Sequence, residues 1–169
     1  ALELLERVEE DQSYVHLLLQ QEADSASLAP DEYPVLVQLV RGVLEQSPLL
    51  DIELEPFLPK GLQSLPRPVT HILRLGVYQI LFLERVKKRD VVFEAVEITK
   101  SGRFRGLAKL VNAVLRKIEP RAENERDASS ATRTFPAWLI SRWSEQFGSE
   151  EMERFCAAAN EALPLYVRV

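Results

Sequence analysis

The sequence predicts an all-α protein, a bundle of packed helices, and three observations carry that prediction. Apolar residues recur at three- and four-residue spacing through most of the 169 residues, and no two-residue alternation of useful length precedes position 165. One segment, 69–85, is apolar nearly all round, as a helix in the middle of a bundle is. With 46% hydrophobic and 28% charged residues the chain is able to fill one core and cover it.

The elements follow in order. Leu4, Leu5 and Val8 have helical spacing, the polar run 9–13 interrupts it, and Val15, Leu18 and Leu19 resume it, so two short helices or one bent helix are expected. Pro30 and Asp31 open a second unit, apolar on most sides from Val35 to Val43, with Arg41 and Glu45 at a pairing interval. Ser47 and Pro48 are expected to end it, and Asp51 to cap a short helix reaching about Leu58. The stretch 59–68, with Pro59, Gly61, Pro66 and Pro68, reads as a connector that places Pro68 in a first helical turn.

In the next helix Val69, Ile72, Leu73, Gly76, Ile80 and Leu83 form one stripe, while Leu75, Val77, Leu81 and Phe82 are apolar outside it. Gly76 costs about 1 kcal/mol of helix propensity relative to alanine, so close approach of a neighbouring helix is expected there. Asp90 is expected to cap a helix that shows Val92, Ala95, Val96 and Thr99 on one face and ends at Gly102. After Gly106 the stripe Leu107, Leu110, Val111, Val114, Leu115, Ile118 is regular. Pro120 closes the bundle, and 121–134 reads as a mobile polar linker. A helix over 136–147 carries Trp138, Leu139 and Trp143, and Ser149 with Glu150 and Glu151 starts a last one that Pro164 stops. Residues 165–169 alternate like a strand entering a further domain.

Function classes narrow next. No apolar run approaches the roughly 20 residues that span a bilayer, and Ala1 opens an acidic stretch without the pattern of a signal peptide, as expected of a trimmed, cytoplasmic chain with no membrane partner. A single cysteine excludes an internal disulfide. His16, His71 and Cys156 stand on three different helices, too scattered for a metal site, and the neighbours of Cys156 suggest a packed small residue. Glu94 and Glu97 share a helical face, as solvated acids often do. Gly102 and Gly106 enclose no phosphate-binding or dinucleotide motif. The chain is therefore expected to hold no active site and no cofactor.

Charge is informative instead. Residues 1–62 carry thirteen acids against three bases, whereas 85–121 carry eleven bases against four acids, net −10 against net +7. Lys87, Lys88 and Arg89 read as one loop, and Arg103, Arg105 and Lys109 lie in and just after the next, with Phe104 between the two arginines. Lysine and arginine position nucleic acid through phosphates, and an aromatic among them can stack on an unpaired base. RNA contact by these seven residues is one reading; the other folds Phe104 inward and leaves the charges as a solvated surface. The overall pI near 5.2 opposes polyanion binding by the domain as a whole.

The runs Ile72–Leu83, Val92–Lys100 and Gly106–Arg116 together resemble the NusB-like domain in order and spacing, over the chain to about residue 119. The resemblance implies two packed helical subdomains, used by transcription antitermination factors and by RsmB-type (Fmu, Sun) ribosomal RNA cytosine methyltransferases. Phe135–Leu139 through Trp143, Phe147, Gly148 and Asn160–Arg168 resemble the methyltransferase branch. That branch implies a bundle over 1–119, a linker over 120–134, two linker helices over 135–164, and the start of an absent catalytic domain at 165. It implies S-adenosylmethionine-dependent 5-methylcytosine formation in small-subunit ribosomal RNA, with cofactor and nucleophile in that absent domain. Expected partners are ribosomal RNA, the catalytic domain itself and a ribosomal protein; an antitermination or protein-interaction bundle is the alternative. The arginine-rich first helix of such proteins has no counterpart here, where Glu3, Glu6, Glu9 and Glu10 stand, and the Asp-Arg pair of the methyltransferase branch is missing near Asp31–Tyr33.

Overall fold

The computed structural model describes residues 1–11, 14–24, 29, 31–120, 132 and 134–160, and the chain divides after Pro120 into two compact units. Among its described residues the first holds six α-helices: α1 (Leu2–Asp11), α2 (Val15–Asp24), α3 (Glu32–Leu54), α4 (Arg67–Phe82), α5 (Lys88–Ser101) and α6 (Ala108–Leu115). Short 3-10 turns stand at Glu55–Phe57, Leu62–Ser64 and Arg105–Leu107. Among the described residues there is no strand, and no helix is long and apolar enough to cross a membrane.

Helix α4 is the centre of this unit. It packs on α1, α3, α5 and α6. Its all-round apolar sequence is the reason: Val69, Leu73 and Val77 are fully buried and Ile72, Leu75, Tyr78 and Ile80 nearly so. Arg67 and Pro68 occupy its first turn, where an N–H would lack an intrahelical acceptor and proline loses nothing. A Cβ on Gly76 would lie 2.7 Å from Leu115 Cδ1, so α6 makes the close approach that the glycine foreshadows. Gly42 allows a second one: the Tyr78 ring occupies the space a Cβ there would need.

Helix α3 departs from expectation. It runs unbroken through Pro48 for 23 residues, and Asp51 is a mid-helix residue rather than a cap. Proline at 48 deprives the Leu44 carbonyl of its usual N–H donor; the Ser47 hydroxyl donates to that oxygen instead, at 3.1 Å. Asp51 accepts two hydrogen bonds from Arg74 of α4, Nε to Oδ1 at 2.7 Å and Nη2 to Oδ2 at 2.8 Å, the bidentate geometry that arginine and carboxylate favour. Continuing the helix also buries Leu49, Leu50 and Leu54. The opening segment resolves into two helices, α1 and α2, rather than one bent one.

The second unit contains α7 (Ala137–Phe147) and α8 (Ser149–Asn160), joined at Gly148, whose φ of +82° suits glycine alone. Met152 and Cys156 are buried, with sulfur atoms 3.8 Å apart, and Trp143 lies between the rings of Phe135 and Phe155. Asn160 Nδ2 donates to the Cys156 carbonyl and to Thr134 Oγ1. Most of the expected linker and the strand-like 165–169 lie outside the described residues.

Candidate nucleic-acid interface

The basic residues are arranged around α5. Burial of Val91 and Val92 sets its phase and starts it at Lys88, one turn earlier than an Asp90 cap would. Lys87 is the extended residue before the helix, and its carbonyl accepts from the N–H groups of Asp90 and Val91 at 2.9 and 3.2 Å. Lys88 and Arg89 are therefore helical rather than in a loop, and Asp90 is the third helical residue. Two cations at the amino end oppose the helix dipole, and Asp90 offsets part of that. Lys88 Nζ reaches Glu119 Oε1 at 3.2 Å, while Arg89 forms no ion pair with a described residue.

At the other end, Gly102 terminates α5 and the chain turns through Arg103 and Phe104. Phe104 is half-buried, packs against the core and borders a shallow pocket with Leu2, Ile72 and Ile98. The Arg103 guanidinium carbon stands 4.9 Å from its ring centre, a cation–π distance. Arg105 and Lys109 are exposed. About 21 Å of helix separates this cluster from Lys87–Arg89, since α5 has 14 residues rising about 1.5 Å each. The seven sequence candidates thus form two patches, not one.

The structure also gathers residues that the sequence reading left unassigned. Lys88 and Arg89 line a groove between α5 and α6 together with Phe93, Lys100, Asn112 and Arg116. Arg89, Phe93, Glu97 and Lys100 follow the four-four-three spacing of the face opposite the buried stripe, which was the available signal.

The remaining candidates are placed apart. His16 is exposed on α2. His71, on α4, is 2% exposed; its Nε2 lies 2.8 Å from Glu9 Oε2 without hydrogen-bond alignment, and Nδ1 has no partner among the described residues. Burial pushes its pKa down, Glu9 opposes that shift and Arg74 adds to it. Burial raises the Cys156 thiol, with Glu153 contributing, so it is held as a thiol rather than a nucleophilic thiolate. Glu94 is exposed and Glu97 pairs with Lys100 Nζ at 2.7 Å. Among the described residues no three His, Cys, Asp or Glu side chains converge as metal ligands would.

Comparison with known proteins decides the family. The profile of the NusB family matches residues 1–120. The chain belongs to the NusB family. Residues 135–169 of this NusB-family chain match a second profile, described as the ferredoxin-like domain of RsmF/B-like methyltransferases. It is 37% identical over 163 residues, 92% of its length, to the probable ribosomal RNA small subunit methyltransferase B of Bacillus subtilis. It is 40% identical over 130 residues, 76% of its length, to ribosomal RNA small subunit methyltransferase B of Thermus thermophilus. It is also 39% identical over 82 residues, 47% of its length, to the transcription antitermination protein NusB of Lacticaseibacillus casei, covering 61% of that protein. The NusB-family chain spans about a third of the two methyltransferases, 36% and 30% of their lengths.

Proposed function

We propose that this chain is a non-catalytic RNA-docking domain that helps an attached methyltransferase hold small-subunit ribosomal RNA in the cytoplasm. One observation carries the reading: two basic patches, one at each end of α5, the second running into the start of α6, on an otherwise acidic NusB-family domain whose relatives are named ribosomal RNA methyltransferases. In that reading the bundle to residue 119 contacts RNA, the segment after it leads into the catalytic half, and S-adenosylmethionine and the base-attacking cysteine belong to that half. The product would be 5-methylcytosine. Lys87, Lys88, Arg89, Arg103, Arg105 and Lys109 would meet phosphates, which fix register without reading sequence.

The test is fluorescence anisotropy of the 169-residue chain with a labelled small-subunit ribosomal RNA helix-loop, across a salt series. Reversing Arg103, Arg105 and Lys109 to glutamate is expected to weaken binding and to flatten the salt dependence by about two to three in log–log slope. An unchanged slope would remove those residues from the interface.

A second reading, a protein-interaction bundle like the antitermination branch, is favoured by the match to the antitermination protein and by Trp138, 66% exposed on α7. A ribosomal protein or the catalytic domain would be the partner, and burial of Trp138 on complex formation would shift its fluorescence to the blue.

A further inference from the structure

The groove between α5 and α6 has a composition that neither terminal patch has. It encloses about 650 Å³, with Val92 and Val96 as an apolar floor. Arg89, Phe93 and Lys100 form its α5 wall, and Asn112 and Arg116, four residues apart on α6, form the other.

Phe93 is the first pointer to a ligand. It is 61% exposed and has no aromatic partner among the described residues, so a flat apolar ring faces water within a ring of cations. The cations are the second. Lys88 and Lys100 are engaged by Glu119 and Glu97, but Arg89 and Arg116 form no ion pair with a described residue, leaving two guanidinium groups free around Phe93. Glu97 is the one acid lining the groove. Asn112 is the third: half-buried, with a side-chain amide that forms no hydrogen bond to another described residue. An amide offers both a donor and an acceptor, which a base edge requires.

We propose that this groove binds an unpaired stretch of RNA, one base stacked on Phe93 with its edge toward Asn112, and the flanking phosphates on Arg89 and Arg116. A duplex fits the same chemistry poorly, because its bases are already stacked and their faces cannot reach the ring. The assignment rests on the RNA-docking reading above, yet it names a surface separate from Arg103, Arg105 and Lys109 and adds a preference for single strands.

The experiment measures anisotropy of the 169-residue chain with a short, unstructured, fluorescein-labelled RNA and with a hairpin duplex. Phe93→Ala is expected to weaken single-strand binding about five- to a hundredfold, the range for loss of one base–aromatic stack, with duplex binding unchanged. Phe93→Tyr, which keeps the ring, restores it. The double variant Arg89→Ala/Arg116→Ala weakens single-strand binding and lowers the salt slope by about one to two. Thermal unfolding of Phe93→Ala at the native temperature confirms that the fold is intact. Single-strand binding that survives Phe93→Ala and the double arginine variant, while the Arg103/Arg105/Lys109 reversal abolishes it, overturns the groove assignment alone. No RNA binding by the unaltered chain overturns this assignment and the RNA-docking reading together.

Discussion

The two phenylalanines of the basic region sit in different sequence settings and play the opposite parts to those the settings suggest. Phe104 has an arginine on each side, yet it turns inward, packs on the core and carries Arg103 over its outer face. Phe93 has only valine and glutamate as chain neighbours, yet it stands in water beside Arg89 and Arg116. Helical phase makes the difference. Val92, Ala95 and Thr99 turn one face of α5 into the core, which puts residue 93 on the groove side. Position 104 lies beyond the end of α5, in a turn free to fold back over Ile72. Nearby charge therefore says little about whether an aromatic side chain is available for stacking.

That contrast is open to direct attack. The largest effect is expected at Phe104: truncation to alanine removes a half-buried ring and should lower unfolding stability by about 2–3 kcal/mol, read from urea titration, while Phe93→Ala stays within about 0.5 kcal/mol. Equal losses at both sites would erase the distinction. Gly42→Ala, at the tight contact between α3 and Tyr78, should cost about 1–2 kcal/mol, because overpacking against Tyr78 outweighs the gain in helix propensity; its RNA affinity should be native, which makes it the control for stability alone.

Acid provides the next test. His71 on the central helix α4 has its folded pKa depressed below the ordinary 6.5, chiefly by burial, against the pull of Glu9 and Glu6 and with the push of Arg74. Below 6.5 the unfolded chain binds a proton that the folded chain resists, so stability is full above that pH and falls as pH drops toward the folded pKa. Melting temperature should fall between pH 7 and 5, and His71→Gln should flatten that slope without altering either phenylalanine's behaviour. The smallest effect belongs to Arg89. Replacing it with glutamine removes a cation from the positive end of α5 and should raise stability by about 0.3–1 kcal/mol, while single-strand RNA binding weakens. A residue that is unfavourable for its helix and favourable for RNA is what a groove shaped for binding predicts.

Much of this was legible in the chain. Three-four periodicity is a property of side-chain chemistry along a line, and it marked α4, the buried stripe of α5 and that of α6 without help from tertiary contacts. Gly76 announced the close approach of a neighbouring helix for the same reason, since a glycine inside so apolar a helix has little else to do there, and the structure makes that helix α6. The division of charge, and the likeness to the NusB family that the profile match establishes, were also present in the sequence.

What the sequence could not settle were contests between local preference and distant contacts. Pro48 favours a break by about 3 kcal/mol; burying Leu49, Leu50 and Leu54, at roughly 1.5–3 kcal/mol each, with Arg74 clamped on Asp51, outweighs it, and α3 continues. Asp90 is the better cap by type, but Val91 and Val92 had to reach the core, so the helix starts before it. The groove of Arg89, Phe93, Asn112 and Arg116 joins residues up to 27 positions apart, and only the packing of α6 beside α5 makes them neighbours. Local sequence thus determined which segments are helices and which faces are apolar, whereas the choice of which helices touch, and of the surfaces left open between them, came from burial energies summed over the whole core.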